Sequence, residues 1–476
     1  MPKLFSLLFE RRMVLLKKFI GTKAFYRKVM MLVIPIMLQN GITNLVSMVD
    51  NIMVGTIGTE QMSAVAIVNQ LMFVFNLAIF GMVSGVGIFT AQYFGKGDTE
   101  GIRQTVRLKL VTSIIILILA ILLFVFFGSF LINSYLHEGS EPMDLTLAFN
   151  EAEKYLTIML IGLIPFVITQ VYGSTFREVE KPIIPMVASI IAVVVNLIFN
   201  YFLIFGTFGF PRLGVAGAAI ATVLSRFVEC IITVSICHIK RNEFMFIKSL
   251  YRHFIIETSL IKRILPKALP LLANEFCWSL GIALLNNSYS VRGLDVVAAT
   301  NITSTISNVF MVSIIAFGSA ISIIVGGLLG AGKRDEALDT NRKLTFLSFV
   351  IAIGLMIALI LASPLFPLIY NTSDAVRSLA SSFMVCYAIY LPFNSLMNSF
   401  YFAIRSGGDT AVTLILDSGY MLLITVPFTF ILARFTTVSI IPLYALSLAI
   451  EIFKVGIGLY LINKGAWAKN IVGEKS

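Results

Sequence analysis

Long apolar runs, separated by short polar segments, occupy the chain from residue 29 to residue 464. Apolar runs of 18 or more residues are typical of helices that cross a membrane. We therefore predict an all-α integral membrane protein with twelve transmembrane helices in two pseudo-symmetric six-helix bundles. The predicted spans are 29–50, 61–94, 103–131, 152–176, 183–205, 214–239, 264–288, 296–329, 343–370, 376–404, 411–433 and 440–463. The second and eighth exceed one bilayer crossing, so their ends are expected to project into water.

The two halves of this pattern repeat each other in register. A shift of 235 residues (270 − 35) places Pro35 on Pro270 and Gly58 on Gly293. After the third span of each half the shift becomes 228 (405 − 177), which places Arg177 on Arg405. Because six spans separate each pair, the two halves have the same orientation in the membrane.

This repeat divides the chain into five regions. They are a cytoplasmic cationic amphipathic leader (1–28), an N-terminal six-helix lobe (29–239), a cytoplasmic linker (240–263), a C-terminal six-helix lobe (264–464) and a cytoplasmic tail (465–476). The leader alternates Leu and Phe clusters with basic residues, as in a helix that lies on a membrane surface; a frayed basic tail is the alternative. A cavity between the two lobes is the expected substrate route.

Composition and charge limit the possible functions. The chain is 58% hydrophobic and 13% charged, whereas a soluble domain has about 25% charged residues. Most of its Lys and Arg fall on the amino-terminal side of the membrane, so the positive-inside rule predicts a multi-pass cell-membrane protein with both termini in the cytoplasm. The net charge of +11 therefore reflects membrane orientation, and we expect the lipid bilayer, not nucleic acid, as a partner.

Carboxylates and amides inside the spans are candidate functional residues, because an ionisable group within a membrane is costly. Asp50 lies near the outer end of the first span, and Asn196 and Asn200 share one face of the fifth. A carboxylate with two amides is a plausible site for a small cation or a proton. The alternative for Asp50 is a solvated residue at the end of a helix.

The second half has its own candidates. Glu275 lies near the predicted midplane of the seventh span, with Trp278 one turn further on, which suits an organic cation or a proton. The alternative for Glu275 is a buried acid bonded to a neighbouring helix. Asp417, in the eleventh span, is expected either to contact substrate or to be a structural partner.

Other polar patterns indicate structure rather than chemistry. Arg226 with Glu229, and Glu451 with Lys454, have the i, i+3 spacing of ion pairs within one helix, so we expect structural pairs. The sequence has no phosphate-binding loop and no metalloprotease motif, which argues against direct ATP coupling, a cofactor and an enzyme.

Several motifs resemble the multidrug and toxic compound extrusion (MATE) family of secondary transporters. They are MVDNIMVGTIG, SGVGIFTAQYFGKGD, FREVEKPIIP, NLIFNYFLIFGTFGFPRLGVAGAAIAT, NSYSVRGLDVVAAT, GGLLGAGKRDEA and RSGGDT. The resemblance covers almost everything from Val29 to Lys464. It implies a secondary active antiporter that exports organic cations and drugs across the plasma membrane. Inward flow of Na⁺ or H⁺ would drive it, through alternating access of two lobes.

The resemblance also implies site residues. The acid of the first span falls on Asp50, and the polar positions of the fifth fall on Asn196 and Asn200. Some members carry an acid where this chain has Asn200, which weakens a proton-only mechanism. An acid in the seventh span of some members corresponds to Glu275. We expect a monomer that binds small organic cations, with Na⁺ and H⁺ both open.

Two other functions are possible. A lipid-linked oligosaccharide flippase of the same broad superfamily would need a cavity with many cations. Only Arg226 and Lys454 lie deep in spans, each with an acid nearby. A membrane-embedded enzyme would need clustered histidines or acids, and none is visible.

Overall fold

The computed structural model describes residues 18–136, 144–252 and 254–473. Within these residues it contains twelve long helices and no strand. The helices are α1 (Lys23–Gly55), α2 (Thr59–Lys96), α3 (Thr99–Tyr135), α4 (Leu145–Glu178), α5 (Ile183–Phe205), α6 (Val215–Ile239), α7 (Thr258–Ser290), α8 (Leu294–Gly330), α9 (Arg334–Ala362), α10 (Asp374–Ser406), α11 (Thr410–Phe435) and α12 (Ile440–Lys464). All twelve are long and apolar enough to cross a membrane.

These helices correspond one to one with the predicted spans, so the predicted fold class is confirmed. The 38 residues of α2 and the 37 residues of α8 would each measure about 55 Å, well beyond the roughly 30 Å of a hydrocarbon core. Short 3₁₀ turns cover Met245–Ile247 and Phe366–Ile369. Residues 1–17 of the predicted leader helix and residues 474–476 of the tail lie outside the described residues.

Local sequence sets several helix ends. Asp98 precedes α3 and accepts a hydrogen bond from the backbone N–H of Gly101 at 2.8 Å. Asp144 caps α4 in the same way, through the backbone N–H of Leu147 at 2.9 Å. Both carboxylates satisfy a backbone donor that the first turn leaves free. Gly206 ends α5 with a φ of 72°, a left-handed conformation that glycine adopts without strain.

Helix α11 is not a regular α-helix over its whole length. Residues Ile415–Gly419 and Met421–Thr425 form two consecutive π-helical turns before α-helix resumes at Val426. A π-turn is wider than an α-turn and is frequent at functional sites. Asp417, one of the predicted site residues, lies in the first of these turns.

Contacts group the described chain into two compact units. Unit 1 consists of the residues up to Met37, Ala91–Gly97 and the chain from Ala273 onward; unit 2 consists of Leu38–Thr90 and Asp98–Leu272. The units divide α1 after Met37 and α7 after Leu272. These two residues are related by the same shift of 235 that relates the sequence halves (272 − 37). The division into N-terminal and C-terminal lobes stays a prediction.

A close crossing of two helix ends lies inside unit 1. A side-chain carbon at Gly95 of α2 would lie 1.8 Å from the carbonyl oxygen of Gly327 in α8. A side-chain carbon at Gly330 would lie 1.9 Å from the carbonyl oxygen of Gln92. The shift of 235 places Gln92 on Gly327 and Gly95 on Gly330. Each contact is therefore the counterpart of the other, and the crossing is symmetric. Only glycine allows the backbones to approach this closely.

The tail after α12 packs onto this crossing. Trp467 is 2% exposed and belongs to the main apolar core of unit 1. The Gln92 side chain donates to the carbonyl oxygen of Ser406 at 2.8 Å and accepts from the backbone N–H of Ile471 at 2.9 Å. Lys469 pairs with a carboxylate oxygen of Asp409 at 2.7 Å. The predicted tail is therefore an ordered part of unit 1 up to residue 473.

In unit 2, the linker before α7 is held against α3. Arg107 donates to the carbonyl oxygens of Leu250 and Ser249, both at 2.8 Å. Lys181 donates to Glu243 at 2.6 Å, and this hydrogen bond lowers the pKa of the exposed Glu243 carboxyl. The basic residues of this segment thus serve in part to order it.

Candidate functional site

Polar side chains from α1, α5 and α6 meet in unit 2. Asn200 is fully buried and donates its amide to a carboxylate oxygen of Asp50 at 2.5 Å. The same amide nitrogen lies 3.1 Å from the side-chain oxygen of Asn196, one turn earlier on α5. Asn196 in turn donates to the hydroxyl of Thr222 on α6 at 3.3 Å. The structure therefore brings the three residues predicted for the first half into one cluster.

The sequence explains why these side chains face each other. Asn196 and Asn200 are four residues apart, so both lie on one face of α5. Both are buried among apolar neighbours, where an amide needs polar partners. Helices α5 and α6 pack along each other on either side of a short turn, and this packing positions Thr222. Together these contacts fix Asp50 at the polar face of α5.

One atom of this cluster has no partner. The side-chain oxygen of Asn200 is buried and accepts no hydrogen bond from the described residues. A buried amide oxygen without a donor normally costs free energy, and a bound cation would satisfy it. Asp50, the two amide oxygens and the Thr222 hydroxyl form the all-oxygen ligand set that a hard cation such as Na⁺ prefers. The same carboxylate is also able to carry a proton.

Sequence reasoning missed two residues of this cluster. Thr222 ends one of the motifs quoted above, but its position alone does not show which way it faces. Tyr155 of α4 is buried, with its hydroxyl close to Thr222. Its only sequence signal is a phenol inside an apolar span, and this signal is weak because such residues are common in cores.

In unit 1, Asp417 lies at the centre of a second polar cluster. Asn274 of α7 donates to one carboxylate oxygen of Asp417 at 3.0 Å and lies 3.3 Å from the hydroxyl of Tyr401. Ser418 donates to the side-chain oxygen of Asn274 at 2.7 Å. The predicted residue Asp417 is thus held by α7 and by its own π-turn.

A buried ion pair adjoins Asp417. Lys454 and Glu451 of α12 form the predicted i, i+3 pair, and the Thr425 hydroxyl donates to Glu451. The Lys454 ammonium also lies 3.9 Å from Asp417 and 5.5 Å from the centre of the Tyr420 ring. Lys454 therefore contacts two acids, not only the predicted one.

The side chains of Glu275 and Trp278 are held less firmly than that of Asp417. Both side chains are partly exposed, and neither has a hydrogen-bond or ion-pair partner in the part of the chain that the structure describes. The residue that reaches Asp417 from α7 is Asn274, immediately before Glu275. The structure therefore brings α7 to Asp417 through a neighbour that sequence reasoning did not select.

The expected ion pair between Arg226 and Glu229 is not formed. Arg226 lies over the Phe166 ring at 5.1 Å and donates to the carbonyl oxygen of Gly162 at 3.4 Å. Glu229 instead accepts a hydrogen bond from Ser189. The i, i+3 spacing brings two side chains near each other, but each finds a better partner on a neighbouring helix.

A cavity of about 240 Å³ lies elsewhere in unit 1, between α8 and the segment before α10. Its lining residues are Ala298, Asn301, Ile302, Thr305, Tyr370, Asn371 and Thr372. None of them carries a charge. The predicted site residues lie outside this cavity, and we assign no role to it.

Twelve membrane-spanning helices with a duplicated frame, and polar clusters around the partly buried acids Asp50 and Asp417, define a multi-pass membrane transporter. The sequence model of the family MatE matches residues 35–202 and 270–431, more than half of the chain and one segment in each half. The chain belongs to the MatE family. This match confirms the resemblance that the motifs indicated and places the protein among transporters, not enzymes.

Relatives and solved structures agree. A Thermotoga maritima protein described as "Probable multidrug resistance protein NorM" is 26% identical over 456 residues, 94% of each chain. A Bacillus cereus protein of the same description is 25% identical over 395 residues, 82% of this chain and 84% of the relative.

Among solved structures, one described as the outward-facing conformation of a multidrug resistance MATE family transporter of the MOP superfamily has a TM-score of 0.82. It is 20% identical and covers 94% of this chain and 99% of its own. A MOP superfamily transporter from Pyrococcus furiosus has a TM-score of 0.82 at 19% identity, covering 94% and 97%. At these identities the likeness establishes the fold.

Proposed function

We propose that the protein is a secondary active antiporter that exports organic cations and drugs across the cell membrane. Inward flow of Na⁺ or H⁺ drives export by alternating access of two lobes. The observation that carries this proposal is the cluster of Asp50, Asn196, Asn200 and Thr222, a single partly buried acid surrounded by uncharged oxygens. The printed descriptions of the relatives as multidrug resistance proteins support the export of small molecules.

In this proposal Asp50 binds the coupling cation. Its carboxylate supplies the charge, while Asn196, Asn200 and Thr222 supply neutral oxygens. The set of several neutral oxygens favours Na⁺, because a proton on Asp50 needs only one acceptor, and the unpartnered oxygen of Asn200 is available as one of the Na⁺ ligands. Coupling then requires that the cation bind one transport state more tightly than the other.

Substrate binds in the second half. Asp417 supplies a carboxylate whose side chain is 30% exposed, and the partly exposed Glu275 and Trp278 on α7 supply a second acid and an aromatic face. Such a set suits a bulky organic cation and does not suit a pyrophosphate-linked lipid, so the flippase alternative is not favoured. We further propose that both termini are cytoplasmic and that the monomer transports.

The test replaces the central acid. Asp50→Asn keeps the size of the side chain and removes its charge, so gradient-driven export of a cationic dye from proteoliposomes should be abolished. Asp144→Asn is the matched control, because Asp144 caps α4 outside the predicted spans and asparagine caps a helix equally well. Normal gradient-driven export by Asp50→Asn protein, with the control also normal, would refute the role of Asp50.

A further inference from the structure

The two halves share a polar arrangement that does not include Asp50. The shift of 235 places Gln39 of α1 on Asn274 of α7 (274 − 39). The shift of 228 places Ser189 of α5 on Asp417 of α11 (417 − 189). In each half the first of these residues donates its amide to the second, at 3.0 Å in both. The hydrogen bond is therefore duplicated, although the acceptor is a neutral hydroxyl in one half and a carboxylate in the other.

A basic residue completes the arrangement in both halves. The shift of 228 also places Arg226 of α6 on Lys454 of α12 (454 − 226). Arg226 makes no direct ion pair among the described residues, although Glu229 lies near enough to interact with it electrostatically; its direct contacts are a ring and a backbone carbonyl. Lys454, in contrast, lies against two carboxylates, Glu451 and Asp417. In the first half the acceptor Ser189 itself donates to the acid Glu229, whereas in the second half the acceptor is itself a partly exposed acid that lies beside a buried ammonium.

The side chains of this second cluster, Lys454, Glu451 and Asp417, differ in how far they are exposed. The side chains of Lys454 and Glu451 are 5% and 8% exposed, whereas that of Asp417 is 30% exposed. One face of Asp417 is therefore accessible while the ammonium lies behind it. The cluster carries two negative charges and one positive charge, so it can accept one further cation at the exposed acid. Arg405 and Glu275 are the other charged groups near this cluster.

We propose that Lys454 is a tethered counter-cation that competes with the cationic group of the substrate for Asp417. In the structure the Lys454 ammonium pairs closely with Glu451 and lies 3.9 Å from Asp417. When an organic cation binds Asp417, the ammonium stays with Glu451; when it moves onto Asp417, it helps to release the substrate. Lys454 is then a specificity-determining residue that acts through Asp417. This inference rests on the proposed function, because it requires that the substrate be cationic and bind at Asp417.

Two substitutions should change substrate affinity in opposite directions. Lys454→Gln removes the competitor, so the KM for ethidium, a permanently charged organic cation, should fall about fivefold, the scale of one partly exposed charge pair. The maximal rate should also fall, because release becomes slower. Glu451→Gln leaves Lys454 with Asp417 as its only acid, so KM should rise. If the pair of Lys454 and Glu451 only stabilised the fold, both substitutions would change the KM in the same direction.

Three further variants control for folding and for charge. Lys454→Arg keeps the competing cation and should keep the KM near that of the wild type. The double variant Lys454→Gln with Glu451→Gln removes the competitor without leaving a buried, unpaired acid, and it should also lower the KM. Arg226→Gln removes the equivalent cation of the first half, which makes no direct ion pair among the described residues and lies far from Asp417 in the sequence repeat, and it should not lower the KM.

Equilibrium binding of ethidium to purified protein in detergent gives a second readout that does not depend on the transport cycle. Tighter binding by Lys454→Gln or by the double variant, with weaker binding by Glu451→Gln, supports the proposal. Unchanged affinity in all of them, or a loss of affinity in all of them, overturns it. If wild-type protein exports ethidium and Asp50→Asn protein does not, unchanged or uniformly lost affinity in these variants refutes only the role of Lys454 and leaves the proposed function intact. If wild-type protein exports no cation, the proposed function itself fails.

Discussion

Asn200 offers a quantitative test of the cation site. Asn200→Leu replaces the amide by an apolar side chain of similar length. It removes the hydrogen bond that the amide donates to Asp50 at 2.5 Å and the amide oxygen that has no partner. The apolar side chain suits the buried position, so the helix should still form. The change therefore acts on the cation site more than on the fold.

The size of the effect follows from these contacts. The amide oxygen carries the effect, because removing the donated N–H alone would leave the Asp50 carboxylate a stronger cation ligand. A polar contact to a charged group contributes about 1.5–3 kcal/mol. Each 1.4 kcal/mol corresponds to a factor of ten, so loss of the amide oxygen as a ligand should raise the half-saturating Na⁺ concentration about 10- to 140-fold. Removal of a donor from a carboxylate does not weaken its protonation, so a proton-driven cycle would show no such rise.

The assay is dye export from proteoliposomes at a series of Na⁺ concentrations and constant pH. Asn150→Leu, at an exposed asparagine of α4, is the control for the same change of side chain and should match the wild type. A half-saturating Na⁺ concentration for Asn200→Leu within about threefold of the wild type, less than 1 kcal/mol, would contradict the assignment of Asn200 as a ligand.

Two further predictions concern the stability of the units. Lys109 is fully buried and pairs with Glu178, so Lys109→Met should destabilise the protein by about 3–5 kcal/mol, whereas Lys109→Met with Glu178→Met should recover most of this loss. Denaturant unfolding in detergent measures both variants, and equal destabilisation would contradict the reasoning. Trp467 is 2% exposed, so Trp467→Ala should cost about 3–5 kcal/mol. An unchanged unfolding midpoint would show that the tail does not stabilise unit 1.

Much of the fold could be predicted because a membrane imposes one simple rule on the sequence. Each span must be apolar and helical, so hydropathy and length locate all twelve helices. The acidic caps at Asp98 and Asp144 also depend on local sequence, although they were not predicted from it. Packing of the tail was not predicted, because the sequence indicated only a cytoplasmic tail; its apolar residues Trp467 and Ile471 were the one available signal.

The candidate sites were harder to predict, because they depend on contacts between distant residues. The bond between Asp50 and Asn200 joins residues 150 positions apart, and only the shared face of Asn196 and Asn200 was visible in the sequence. Glu275 stood out as a charge, but its neutral neighbour Asn274 makes the contact with Asp417.

The π-turns of α11 could not be predicted, because no hydrophobic periodicity in the sequence marks them. Residue spacing in this helix therefore did not reveal that Lys454 of α12 reaches Asp417. In α6 the same kind of spacing suggested a pair of Arg226 and Glu229 that neighbouring helices prevent.

Export by purified wild-type protein under imposed gradients tests the central claim most directly. Proteoliposomes loaded with ethidium would receive an inward Na⁺ gradient at equal pH or, separately, an inward H⁺ gradient without Na⁺. The proposed antiport predicts uphill export with one of these gradients, and the oxygen ligands around Asp50 favour the Na⁺ gradient. Export that is equally fast without any gradient, or absent with both gradients, would contradict cation-coupled antiport.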